Sequence, residues 1–194
     1  MTYSVCHGFD PARRAEAAAL YWQAFGGKLG RVMGPEARAL AYVAQVMRPD
    51  HAFAALDADG TVIGIAGFRS PYGSFVGGGP ADLRGAYGRA GGALRAGLLA
   101  LLTRDVDNDR FLVDGICVRA DRRGQGIGRA LLDALCAEGR ARGYAQVRLD
   151  VVGENIRARA LYERAGFAAA GLSHSRITGV LFGFQTVTMM VRPL

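Results

Sequence analysis

The chain has 194 residues, 51% hydrophobic and 21% charged, which excludes a disordered or fibrous protein and suits one domain with a proper core. Its net charge of +7 rests almost wholly on arginine, since Lys28 is the one lysine among 24 Lys and Arg residues. No basic run interleaved with aromatics marks a nucleic-acid surface, no stretch approaches the roughly 20 apolar residues of a membrane helix, and the scattered Cys6, Cys117 and Cys136 form no metal or disulfide pattern.

Asp10 and Pro11 open a first predicted helix as N-cap and first-turn proline, and Gly26–Gly27 are expected to stop it. A second helix is expected from Pro35 to about Met47, closed by Pro49. Two apolar runs within residues 51–68 flank an Asp-Gly pair and read as a hairpin. Residues 73–80 are glycine-rich and read as a loop. One helix is then expected from Ala81 to Arg104, with Leu94, Leu98, Leu101 and Leu102 as its buried stripe.

Residues 110–118, RFLVDGICV, read as a strand, followed by a glycine-rich turn and a helix over 128–143. Ile127, Leu131 and Leu135 share one face of that helix, and Gly143 lies just past its end. QVRLDVV at 146–152 alternates in the strand manner, with Val147, Leu149 and Val151 on one face. Asn155 begins a short helix that Gly166 ends, and the tail from 179 reads as one or two closing strands. Alternating strands and helices over 110–192 argue for a mixed α/β sheet.

The turn carries the chemistry. It lacks the lysine of a phosphate-binding P-loop, and its glycines do not have the GxGxxG spacing of a dinucleotide fingerprint. It fits R-x-x-G-x-G, read as Arg123-Gly124-Gln125-Gly126-Ile127-Gly128. Glycine lets successive amides converge where a Cβ would block approach, and the helix start adds unpaired N–H groups and a favourable dipole for an anion. Arg122, Arg123 and Arg129 offer side-chain charge; the alternative reading is a flexible turn with solvated arginines. Downstream, Asn155 and Tyr162 lie seven residues apart in NIRARALYERAGF, nearly on one helix face.

In this order and separation the two segments resemble the GNAT superfamily of acetyl-CoA-dependent N-acetyltransferases. The resemblance is specific over 110–167, the acetyl-CoA-binding motifs, and covers residues 1–105, the variable acceptor-side half, only in outline. It implies one domain over 1–194, a mixed central sheet flanked by helices. It further implies that the amides of Gly124, Gln125, Gly126, Ile127 and Gly128, with Arg123 and Arg129, hold the coenzyme A pyrophosphate. Backbone within Ile116, Cys117 and Val118 is implied to bind the thioester oxygen, and Asn155 the pantetheine arm or the helix start. Tyr162 matches the family tyrosine that donates to the leaving sulfur.

The implied reaction moves an acetyl group to a primary amine by direct attack. An alkyl ammonium of pKa about 10.4 must first lose a proton, and Asp114, in the strand before the turn, is the acidic candidate. Pairing with an arginine, or solvent exposure, is the alternative role for Asp114. An acyl-Cys117 route is conceivable, but no histidine pairs with that residue in the sequence. The resemblance implies that the N-terminal half sets the acceptor, here Tyr21, Trp22 and Phe25 and residues 68–93, although aromatics at that helical spacing more often pack as core. The charge of +7 disfavours a polycationic acceptor. The resemblance allows a homodimer and a cytoplasmic protein that needs no metal, membrane or nucleic acid. A coenzyme A-binding sensor without turnover, or a nucleic-acid-associated protein, are the other classes considered.

Overall fold

The computed structural model describes residues 2–100 and 110–194. The first strand, β1 (Ser4–His7), is short and was not expected from its mixed sequence; it pairs antiparallel with β2 (Ala52–Leu56). A single 3-10 turn at Pro11–Arg13, capped by Asp10 Oδ1 on the Ala12 N–H at 2.8 Å, leads into α1 (Arg14–Met33). Contrary to expectation, α1 runs straight through Gly26–Gly27. A Cβ on Gly26 would stand 2.8 Å from the Trp22 indole, so the glycine is a seat for that ring. Glycine in a helix costs about 1 kcal/mol against alanine. Burial of a tryptophan removes about 150–250 Å² from water and outweighs it.

The next helix, α2 (Glu36–Val46), and the hairpin of β2 with β3 (Val62–Ser70) are as expected. A two-residue strand, β4 (Gly73–Ser74), pairs back onto β3 within the glycine-rich segment. The single helix expected over 81–104 is two helices, α3 (Pro80–Tyr87) and α4 (Arg89–Ala100). Gly88, at φ +76°, is the left-handed residue that breaks them. A Cβ on Gly92 would lie 2.5 Å from the Arg84 backbone, which is how closely α4 folds back on α3. Leu94 is exposed rather than part of a buried stripe, Leu98 packs on the core, and Leu101 and Leu102 lie outside the described residues.

In the second half, β5 (Phe111–Val118), α5 (Ile127–Ala141), β6 (Gln146–Val152) and α6 (Ile156–Arg164) match the predicted alternation. The tail departs from it. It contains β7 (Ala168–His174), a helix α7 (Arg176–Phe182) capped by Ser175, and β8 (Thr186–Pro193). Residues 179–182 are therefore helical, not strand.

Among the described residues the strands form one mixed sheet in the order β1-β2-β3-β5-β6-β8-β7, in which β5 and β6 are the parallel pair of neighbours. Its two faces bury separate cores. On one face α1, α2 and α3 bring Leu20, Trp22, Val43, Leu83 and Tyr87 against Ile65, Phe75 and Cys117. On the other, α5 and α6 bring Ile127, Leu131, Leu135 and Tyr162 against Phe68, Phe111 and Val147. Gly64 sets the second packing distance, because its missing Cβ would meet Ile127 at 2.9 Å and Leu131 at 3.1 Å. That contact fixes where the start of α5 stands over the sheet. Among the described residues no helix is long and apolar enough to cross a membrane.

Candidate functional site

Two features of β5 shape the site. The first is a bulge. Gly115 pairs with Gly67 of β3 and Val113 with Phe68, so Asp114 is an extra residue without a partner of its own. A bulge bends the strand and re-aims the side chain it carries. Here it turns Asp114 toward α1 and the glycine-rich segment. Arg69 Nη2 donates to its Oδ1 at 3.3 Å, and the Val76 N–H donates to its Oδ2 at 3.3 Å.

The second feature is a parting of strands. β5 and β6 pair only at Phe111 with Val147 and Leu112 with Arg148, and then diverge. Arg119 N–H donates to Ile63 O at 2.9 Å, toward β3. By the two-residue alternation of a strand, the Cys117 amide points the same way, and those of Ile116 and Val118 point into the gap left by β6. The Val118 carbonyl on that side accepts from Arg123 Nε at 3.2 Å.

The glycine turn lies at the mouth of this gap. Gly124 and Gly126 have φ of +78° and +81°, the left-handed region that glycine enters without strain. Gly126 is the N-cap of α5 and has no side chain to satisfy the helix start. Its carbonyl accepts the first helical bond from Ala130 at 3.0 Å, which leaves the amides of Gly126, Ile127, Gly128 and Arg129 without intrahelical partners. Gly128 has a packing task as well, because a Cβ there would meet Leu161 of α6 at 3.2 Å.

The three arginines of the turn do not serve alike. Arg122 is bonded to Asp57 at the hairpin tip, which ties the turn to β2 and β3. Arg129 is held by Asp133 at 2.9 Å and by the Arg164 carbonyl at 3.1 Å. Among the described residues Arg123 alone of the three has no carboxylate partner. Of the three arginines expected to supply charge, Arg122 and Arg129 are thus already paired with carboxylates.

Asn155 and Tyr162, expected on one face of α6, differ in surroundings. Asn155 is exposed, and its Oδ1 accepts the Ala158 N–H at 3.2 Å, so it caps the helix. Tyr162 is buried beside Phe167, with ring centroids 6.1 Å apart. Burial, helped by the nearby Cys117, pushes its hydroxyl up to about 12. Among the described residues that hydroxyl has no hydrogen-bond partner, so it is a protonated donor with its bond still to make.

Burial also raises Asp114 above the ordinary carboxylate range, partly countered by Arg69 and the Val76 amide. Its side chain is 17% exposed. A carboxyl in that state accepts a proton more readily than a solvated aspartate. Cys117 is buried, donates weakly to Ile65 O at 3.7 Å, and is pushed up to about 12 by desolvation. It is a neutral thiol, poorly suited to nucleophilic attack. Tyr21, whose phenol is raised by burial and by Asp114, packs at a tilt against Phe25, with ring centroids 4.5 Å apart. The sequence did not reveal Arg69 or Val76 as neighbours of Asp114; only strand register brings them there. Their arrangement can hold an anion at the start of α5, accept a proton at Asp114 and donate one from Tyr162.

A model of the acetyltransferase (GNAT) family matches residues 15–167. Over 45 residues the chain is 58% identical to a mycothiol acetyltransferase of Beutenbergia cavernae; this stretch is 23% of the chain and 15% of that relative's length. Among solved structures, a GCN5-related N-acetyltransferase from Kribbella flavida aligns with a TM-score of 0.64 at 20% identity, covering 99% of this chain and 98% of that one. A phosphinothricin acetyltransferase from Sinorhizobium meliloti, solved with AcCoA, aligns at 0.60 and 20% identity over 100% and 89% of the two chains. At these identities the structural likeness speaks for the fold.

Proposed function

The chain belongs to the GNAT acetyltransferase family, and from that premise we propose that it transfers an acetyl group from acetyl-CoA to a primary amine by direct attack. The observation that carries the proposal is the gap between β5 and β6 beside an uncapped, glycine-led helix start. The residues present fit acetyl-CoA. Four amides from Gly126 to Arg129 and the Arg123 guanidinium suit its pyrophosphate. Gly124 and Gln125 shape the approach, and the edge of β5 suits its pantetheine arm. Acetyl-CoA supplies the activated acyl group; the chain supplies binding and proton movement.

The Ile116 and Val118 amides aim at the place where negative charge develops on the acyl oxygen. Asp114 takes the proton that the attacking ammonium must lose, Oδ1 and Oδ2 being steadied by Arg69 and Val76. Tyr162 gives its hydroxyl proton to the departing sulfur. Asn155 acts through the helix it caps, which carries Tyr162. Cys117 contributes its backbone to β5 and stays uncharged. The Val76 N–H on Asp114 supports a role for the segment over 73–92 as one wall of the acceptor site. The test is calorimetry with acetyl-CoA, followed by coenzyme A release in the presence of amines. Binding and amine-dependent release are expected; a folded protein that ignores acetyl-CoA would remove the proposal, and binding without release to any amine would favour a sensor.

A further inference from the structure

One face of α1 passes over the β5 bulge and ends in a lysine that, among the described residues, has no ion-pair partner. Tyr21, Phe25 and Lys28 stand at i, i+4 and i+7, hence on one side of the helix. Tyr21 feels Asp114 and Cys117. Phe25 covers Gly115, where a Cβ would meet its ring at 2.8 Å. Lys28 Nζ lies 5.6 Å from the centroid of the Phe184 ring, beyond the end of β6. The stripe therefore leads from Asp114 past the bulge to Lys28, whose Cα is about 4.5 Å along the axis from that of Phe25.

Lys28 is half-buried, and among the described residues no carboxylate lies within ion-pair distance of it. Loss of water lowers its affinity for a proton, and Glu154, which acts from a distance, only partly offsets this. An ammonium beside an aromatic ring, with no carboxylate in direct contact, gains from an anion brought by a ligand. It is also the chain's one lysine, in a protein that otherwise uses arginine for positive charge.

Resting on the acetyl-transfer reading above, we infer that Lys28 is a specificity-determining residue that binds a carboxylate of the acceptor, so that the preferred acceptors are amino carboxylates rather than simple amines. The amine end enters toward Asp114 and the Ile116–Val118 edge, the aliphatic or aromatic middle lies on Phe25, and the carboxylate meets Lys28. A cationic tail would instead meet a like charge at that end.

The test uses two matched series: linear ω-amino carboxylates from glycine to 6-aminohexanoate, and n-alkylamines of equal chain length. Each is assayed for coenzyme A release with wild type, Lys28→Met and Lys28→Arg, while acetyl-CoA affinity is measured separately. At least one amino carboxylate is expected to exceed its alkylamine in kcat/KM by about tenfold or more, mainly through KM, as a charged contact would give. Lys28→Met should erase that preference without changing acetyl-CoA affinity, and Lys28→Arg should keep most of it. Equal loss on both series, a preference for alkylamines, or turnover of neither series by protein that binds acetyl-CoA would overturn the inference. Failure to bind acetyl-CoA would instead remove the function on which it rests.

Discussion

Gly126 and Gly143 make a matched pair of perturbations at the two ends of α5. Both are left-handed, at φ +81° and +80°. A Cβ has room at both: 3.5 Å from the Tyr3 hydroxyl at Gly126, and open space at Gly143. Replacing either by alanine therefore adds backbone strain without a clash. The strain is about 1–2 kcal/mol, of which up to about 1 returns through the stiffer unfolded chain. The net cost is about 1 kcal/mol, or a fall in Tm of about 2–4 °C for a domain of this size. The variants should thus match in stability. They should differ in binding, because relaxing φ at 126 re-aims the amides of 126–129, whereas Gly143 is fifteen helical residues away. Loss of one charge-assisted hydrogen bond, about 1.5–3 kcal/mol, weakens acetyl-CoA binding by about tenfold to 100-fold. Calorimetry and thermal melts on both variants read the two effects separately. Equal loss of affinity in Gly126→Ala and Gly143→Ala, or none in either, would refute the assignment of the α5 start to the pyrophosphate.

Three further outcomes are expected. Asp114 works as a base only when ionised, and its pKa is raised, so activity is present above that pKa and falls away on acidification above the ordinary aspartate range. This limb should stay fixed when acceptors of different amine pKa are compared, and vanish in Asp114→Asn. Tyr162→Phe should lower kcat by about 100-fold or more with little change in acetyl-CoA affinity; because the hydroxyl is pushed up to about 12, no alkaline limb below pH 10 should belong to it. Unchanged kcat would assign Tyr162 to the core alone. Cys117→Ala should retain activity within a few-fold, and trapping with acetyl-CoA alone should leave no acyl-protein; a dead variant would revive a covalent route.

Much of the site was legible because its signals are local. The left-handed glycines at 124 and 126, the Asn155 cap and the Ile127, Leu131 and Leu135 face each depend on residues within a turn or two of one another. The break at Gly88 is equally local, but neighbouring glycines at 85, 91 and 92 mask it in the sequence; a left-handed glycine after Tyr87 is a helix end in its own right. Gly26 misled for the opposite reason. Its meaning lies in the Trp22 ring packed across it, and nothing in a Gly-Gly pair distinguishes a stop from a seat.

By itself, then, the sequence determined the strand–turn–helix order, the glycine-led start of α5 and the family, since backbone preference and helix periodicity act over a few residues. The tertiary structure alone decided which groups meet. The bulge that turns Asp114 toward Arg69 and Val76, the parting of β5 from β6, the commitment of Arg122 to Asp57 and the placing of Lys28 against Phe184 all join residues far apart in the chain. Those contacts follow from sheet register and from packing on two faces at once, and both are properties of the closed fold rather than of any segment within it.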